Sequence, residues 1–218
     1  MIKAVIFDMD GTLVKTEPLW LKSSNFALKK YGIRISKAQY CNWTGKDELE
    51  KFRIALSPLG KESDSENVVL ERRKFFLSLL KSSKIKANPF LVNAIKFFRN
   101  KGLKLALATS TRTEIVEKVL EKTGISEFFE IMVTSNEVAS KKPDPEIYLL
   151  AAKKLGVKPE DCIAFEDSHS GVSSAKRAGM KCVAVPHSYS ECQDFSEADF
   201  IVRDRKKINK KFLERCMK

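Results

Sequence analysis

The chain opens on Ile2-Lys3-Ala4-Val5-Ile6-Phe7-Asp8-Met9-Asp10-Gly11-Thr12, and this stretch limits the possible folds more than any other. A short run rich in β-branched and aromatic residues, closed by a glycine, predicts a buried strand. Asp8 and Asp10 stand directly past its end, two residues apart, so in extended backbone their carboxylates face the same way. Side by side over a sheet edge they repel, and both stay charged only with a cation, a lysine or a hydrogen-bonding partner between them. A divalent ion would serve, since Mg²⁺ takes one or two carboxylates together with phosphate oxygens and water. On local grounds a solvated turn explains the pair equally well. A calcium loop of the EF-hand type does not. That loop needs a further ligand before its glycine and a glutamate at its twelfth place, whereas Gly11 comes too early and residues 4–7 are strand-like where a helix should be.

The following residues change rhythm. Trp20, Ser23, Ser24, Ala27, Leu28 and Tyr31 recur at helical steps up to Gly32; further helical patterns begin at Ser36, after Gly45 and near Glu66. No convincing strand lies between Lys15 and Lys86, and Asn88-Pro89 reads as the N-cap and first-turn proline of a new helix. From there strand and helix alternate. Strands are predicted over 103–109, 131–134, 162–165, 181–185 and 199–202, with helices between them and an amphipathic helix from Ile208 to Cys216 at the end. Alternation of this kind implies an α/β fold with an open parallel sheet and right-handed crossovers. In such sheets ligands gather at the carboxyl ends of the strands, near the topological switch point.

With 218 residues there is chain enough for one such domain carrying a smaller insertion. The formal net charge is +12, but the lysines are scattered through every segment, which fits a field attracting small phosphorylated substrates better than a nucleic-acid surface. Five cysteines form no C-x-x-C pair, and reduced thiols are expected. The apolar N-terminal run is too short for a signal peptide and no stretch is long enough to span a bilayer, so a cytoplasmic location, no membrane partner and a monomer are expected.

Four predicted strand ends carry chemistry. The first carries Asp8 and Asp10; the second Thr109-Ser110-Thr111, a hydroxyl beside backbone N–H groups entering a helix, which suits phosphate. The third is followed by Lys141-Lys142-Pro143, and the fourth by Glu166-Asp167-Ser168. Each has an ordinary reading alone: Thr109 as a helix N-cap, Lys142 as a solvated loop residue, Glu166-Asp167 as caps. Their joint placement on one rim is what phosphoryl transfer requires: nucleophile, proton carrier, phosphate cradle, cation and metal site.

These residues resemble the four ordered motifs of the haloacid dehalogenase superfamily: Phe7-Asp8-Met9-Asp10-Gly11-Thr12, Thr109, Lys142-Pro143 and Glu166-Asp167-Ser168. The helical stretch after the first motif resembles the cap of the β-phosphoglucomutase-like sugar-phosphate phosphatases. The resemblance implies a Rossmann-like catalytic core of residues 1–15 and 87–218 with an inserted helical cap, 16–86. It implies Asp8 as nucleophile forming an aspartyl-phosphate, Asp10 as acid and base, and Thr109 and Lys142 on the transferring phosphoryl group. Mg²⁺ is implied on Asp8, the Asp10 carbonyl, Asp167 and Glu166, where Asp8, next to Mg²⁺ and Lys142, should stay ionised. Gly11, Ser110, Trp20, Gly45 and Lys46 are the further candidates for substrate contact. Within the helical segment Glu17-Pro18-Leu19-Trp20 and Trp43-Thr44-Gly45-Lys46 are the stretches expected to read the leaving group; core packing is the preferred reading of Trp20 and Trp43 themselves, and Arg72-Arg73-Lys74 reads as a solvated helix face. The mutase branch carries a histidine aligned with Trp20 and an aspartate where Lys15 stands, which favours a phosphatase over β-phosphoglucomutase; Gly45-Lys46 is similar to members acting on nucleoside monophosphates.

Overall fold

A computed structural model describes residues 1–218. Its six strands are β1 (Ala4–Phe7), β2 (Lys104–Ala108), β3 (Ile131–Val133), β4 (Cys162–Glu166), β5 (Lys181–Ala184) and β6 (Phe200–Ile201). They form one parallel sheet in the order β3-β2-β1-β4-β5-β6. The chain walks outward from β1 to β3, then crosses back to begin the other half at β4. The switch point therefore lies between the ends of β1 and β4, where the sequence placed Asp8 and Glu166-Asp167.

The strands are buried on both faces, as parallel strands under helices must be. Val5, Phe7, Leu107, Ile163 and Phe165 point to one face, packed under α5 (Pro89–Asn100), α6 (Thr113–Thr123) and α9 (Lys210–Cys216). Ala4, Ile6, Ala106, Ala108 and Ala164 point to the other, under α7 (Glu146–Leu155) and α8 (His169–Arg177). The alanines on this second face leave room for the fully buried Tyr148 of α7. The expected strand over 199–202 shortens to two residues, and the last helix begins at Lys210, capped by Asn209.

Between β1 and β2 lie α1 (Glu17–Leu28), α2 (Lys37–Cys41), α3 (Glu48–Leu56) and α4 (Ser65–Ser82). The starts of α2 and α3 follow from side-chain caps. Ser36 and Gln39 form a reciprocal capping box, and the Asp47 carboxylate accepts the N–H groups of Leu49 and Glu50. α1 packs on α4 through stacked rings, Trp20 on Phe76 and Phe26 on Phe75, with centroids 3.6 and 3.8 Å apart. The helical segment leaves and rejoins the sheet at adjacent points: Val14 bridges Ala87, and the Asn88 N–H donates to the Leu13 carbonyl at 2.7 Å. No helix is long and apolar enough to cross a membrane.

The thiols depart from the sequence expectation. Cys41, at the end of α2, and Cys192, in the loop after β5, form a disulfide across 151 residues, while Cys162, Cys182 and Cys216 are free and buried. Spacing gave no hint of the pair because it joins two elements that become neighbours only in the folded chain. Around it Gln193 Nε2 donates to the carbonyls of Cys41 and Thr44, and Thr44 Oγ1 donates to the Tyr189 carbonyl. Burial pushes the Cys162 and Cys216 thiols up to about 12, which keeps them unreactive near neutrality. We expect denatured, unreduced protein to titrate three thiols with Ellman's reagent and five after reduction; Cys192→Ser should cost about 2–5 kcal/mol of stability, read from denaturant unfolding.

Candidate active site

At the mouth between β1 and β4 a buried ammonium joins two buried carboxylates. Lys142 Nζ donates to Asp8 Oδ1 at 2.8 Å, to Glu166 Oε1 at 2.5 Å and to the Ala108 carbonyl at 3.1 Å. Burial works to lower the lysine's pKa, but Asp8 and Glu166 outweigh it, so the cation is held firmly protonated. Lys142 is therefore no solvated loop residue. Glu166 is fully buried and has both oxygens engaged: Oε1 also accepts from Tyr148 Oη, and Oε2 from the Asp167 N–H and Ser168 Oγ. Gly171 makes this possible, because a Cβ there would lie 2.0 Å from the Glu166 carboxylate. Ser168, not the acidic pair, caps α8, its hydroxyl accepting the Gly171 N–H.

Asp10 has a different environment. Its Oδ1 accepts from Thr16 Oγ1 at 2.5 Å and Trp20 Nε1 at 2.9 Å, and its Oδ2 from Thr111 Oγ1 at 2.6 Å. Trp20 thus packs on Phe76 with one face and reaches the site with its edge. Thr109 is buried at the end of β2, where Oγ1 accepts the Thr111 N–H at 3.2 Å. It does not cap α6, which starts four residues on with Arg112 at its N-cap position.

Asp167 and Glu17 complete the acidic wall. Asp167 Oδ2 lies 2.7 Å from His187 Nε2, and its Oδ1 accepts from Thr12 Oγ1 at 3.4 Å. Glu17 is buried with Oε2 unpartnered, and burial, then the charges of Asp167 and Asp10, push its carboxyl well above the usual range. Gly11, at φ +79°, lies under this group: a Cβ would come within 2.4 Å of Asp167 Oδ2, Glu17 Oε1 and His187 Nε2. The role of Gly11 is thus close approach. Arg205 pins the same turn from beyond β6, donating to the carbonyls of Gly11, Thr12 and Val185.

These groups open into a cavity of about 210 Å³ lined by Asp8, Asp10, Thr109, Ser110, Lys142 and Asp167 on the sheet side, and by Trp20, Gly45, Lys46, Lys51, Arg72 and Arg73 on the helical side. Of the residues singled out from sequence, Gly11, Glu166 and Trp43 do not line it; Gly11 and Glu166 sit beneath it, and Trp43 packs edge-on against Phe52. Arg72 corrects the reading of a solvated face: it is 5 % exposed, lies over the Trp20 ring at 4.1 Å, and donates to Ser24 Oγ and to Glu48 at 2.7 Å. Glu48 also pairs with Arg73. Lys51 and His187 were not recognised from sequence; Glu17 and Thr111 fell within candidate stretches, but their places beside Asp167 and Asp10 were not foreseen. For Lys51 the one available signal was a lysine on the apolar face of α3, beside Phe52.

The donor set fits a divalent ion. Asp8, Glu166 and Asp167 bring one oxygen each within 4.8 Å of one another, all buried. Burial pushes the Asp8 carboxyl well above the usual range, Lys142 opposes this, and Glu166, Asp167 and Asp10 add to it. One ammonium among so many carboxylates leaves an excess of negative charge that a dication would neutralise.

The haloacid dehalogenase-like hydrolase family profile matches residues 5–185. A phosphorylated carbohydrates phosphatase of Thermotoga maritima is 37% identical over 202 residues, covering 90% of this chain and 91% of that one. Among solved structures, a variant of CbbY from Rhodobacter sphaeroides in complex with xylulose-1,5-bisphosphate is 29% identical with a TM-score of 0.82, covering 94% of this chain and 95% of its own. A β-phosphoglucomutase from Clostridium difficile shares the fold at 23% identity and a TM-score of 0.85, over 100% and 97% of the two chains.

Lys51 gives the site a pH signature. Burial first, then Arg72, lowers its pKa to about 7, against about 10.4 in an unfolded chain. Between these values the unfolded chain holds a proton the folded one lacks, so stability rises with pH across that window, and the cost of Lys51 is full below pH 7. We expect Lys51→Met to raise the melting temperature by about 3 °C or more below pH 7. The gain should shrink as pH climbs from 7 toward 10, a profile that differential scanning calorimetry at stepped pH would read.

Proposed function

The chain belongs to the haloacid dehalogenase-like hydrolases and is a phosphate-ester hydrolase, and we propose that it releases phosphate from a small phosphorylated metabolite of the sugar-phosphate class. The observation that carries the mechanism is the contrast between two neighbouring carboxylates in one cavity: Asp8 bonded to the Lys142 ammonium, Asp10 bonded only to neutral donors. A nucleophile needs the first environment and a proton carrier the second.

In this reading an Asp8 oxygen attacks phosphorus and the ester P–O bond breaks, leaving an aspartyl-phosphate. The Asp10 carboxyl gives its proton to the departing oxygen, then takes one from the water that attacks the same phosphorus and returns Asp8 to a carboxylate. Lys142 and the Thr109 hydroxyl hold the non-bridging oxygens, with the N–H groups of Ser110 and Thr111 beside them. Asp8, the main-chain carbonyl of Asp10 and Asp167 would hold Mg²⁺. Glu166, whose oxygens already have donors, would act by fixing Lys142 and the start of α8. Bound there, the ion would supply Lewis-acid stabilisation of charge on the phosphoryl oxygens.

Residues 16–86 then serve as the cap over a core of 1–15 and 87–218, with Gly45, Lys46, Trp20 and the buried Arg72 and Lys51 facing the organic part of the substrate. Support for a sugar rather than an apolar alcohol comes from the wall itself, which has few apolar residues and several cations. The relatives' names point the same way, since the Thermotoga protein is named for phosphorylated carbohydrates.

A panel of hexose, pentose and nucleoside phosphates, scored for released phosphate with and without EDTA, tests the reading. We expect sugar phosphates to be hydrolysed best and EDTA to abolish turnover; no release from any ester would sink it. Asp8→Asn should lower turnover by about 10³-fold or more. Asp10→Asn should still form a trappable phosphoenzyme that hydrolyses slowly. Equal, near-wild-type rates in both variants would remove the mechanism, and glucose 6-phosphate formed from β-glucose 1-phosphate would mark a mutase instead.

A further inference from the structure

His187 lies in the loop after β5, outside the four motif segments. Its ring is 16 % exposed, with Nε2 at 2.7 Å from Asp167 Oδ2 and 3.7 Å from Glu17 Oε1. The other ring nitrogen settles the tautomer. Nδ1 lies 3.1 Å from the backbone nitrogen of Tyr189, and a backbone N–H can only donate. Nδ1 is therefore an acceptor, and the ring hydrogen sits on Nε2 and points at Asp167. Although the ligand atoms of Glu17, Asp167 and His187 lie within 4.8 Å of one another, this tautomer leaves Nε2 no lone pair for a metal.

The loop is built to hold that ring still. The His187 carbonyl accepts the N–H groups of Ser190 and Glu191 at 2.8 Å each, and its own N–H donates to Ser190 Oγ, which belongs to a fully buried residue. Further along, Gln193 and the Cys41–Cys192 disulfide tie the loop to α2 and the turn after it. Asp167 itself has little else to fix its carboxylate: Oδ1 has only the long contact to Thr12, and Glu17, Asp8 and Glu166 each bring a carboxyl oxygen within 4.8 Å.

We propose that His187 is a positioning residue that orients Asp167 for the divalent cation. By donating Nε2–H to Oδ2 it fixes the orientation of the carboxylate that would hold the ion, in the manner of the outer-shell partners that orient metal ligands. This rests on the reading of Asp167 as a ligand, and the test separates the two. Mn²⁺ is titrated into the full-length wild type, His187→Ala, His187→Gln and Asp167→Asn, with free Mn²⁺ read by electron paramagnetic resonance and folding checked by melting without metal. His187→Ala is expected to weaken Mn²⁺ binding by about 10–100-fold, and His187→Gln, which keeps a side-chain N–H donor, to recover part of the loss. Asp167→Asn is expected to bind weakest. Should His187→Ala fail to fold, His187→Leu, which has no donor, is set against His187→Gln: weaker Mn²⁺ binding by Leu than by Gln supports the proposal, and equal binding by the two overturns it. Binding by folded His187→Ala within twofold of wild type, with Asp167→Asn impaired, would overturn the role of His187 and leave the ligand assignment standing. Unimpaired binding by Asp167→Asn would overturn both.

Discussion

The contact on which the site depends is the three-way meeting of Lys142 with Asp8 and Glu166, buried at the floor of the cavity between the ends of β1 and β4. Taking a carboxylate out of water is costly unless a partner and hydrogen bonds replace the solvent. Here two carboxylates share one ammonium, Asp167 and Glu17 crowd behind them, and Asp10 stands in front. Much of the surrounding structure serves to make that concentration of charge tolerable. Tyr148 and the Asp167 N–H serve Glu166, Thr12 and His187 serve Asp167, and Thr16, Trp20 and Thr111 serve Asp10. Two glycines, Gly11 and Gly171, are required because any side chain would fall on a carboxylate.

The parallel sheet accounts for how such a cluster can be assembled. Each strand delivers its last residues to the same rim, so residues from distant parts of the chain become neighbours without any long irregular connection. The reversal of strand order between β1 and β4 opens a crevice there. Arg205, from beyond β6, closes its floor by holding three main-chain carbonyls. The small residues on the α7 and α8 face let Tyr148 approach close enough to serve Glu166.

The helical segment contributes the opposite wall, and its side chains do two jobs. Trp20 is core for α1 and α4 through Phe76 and a hydrogen-bond donor for Asp10 through its indole edge. Arg72 packs on that indole and is neutralised by Glu48. The segment is joined to the sheet where Val14 meets Ala87, and again where Cys41 meets Cys192. Lys51 is buried near the same wall, where burial and Arg72 bring its pKa down to about 7.

The amino-acid order by itself determined the strands, most helix starts and the rim on which chemistry would gather. Hydrophobic period and capping are local properties, and Ser36, Asp47 and Asn88 cap their helices with side chains a few residues from their targets. Only the tertiary structure decided which charges are buried and with whom. Arg72 leaves solvent because Glu48 and Trp20 come from other helices to meet it, Cys41 finds Cys192 across the sheet rim, and His187 reaches Asp167 from the next strand's loop. No periodicity encodes such pairs, because the free energy of burying a charge or a thiol is set by the partner that the fold brings to it rather than by its neighbours in the chain.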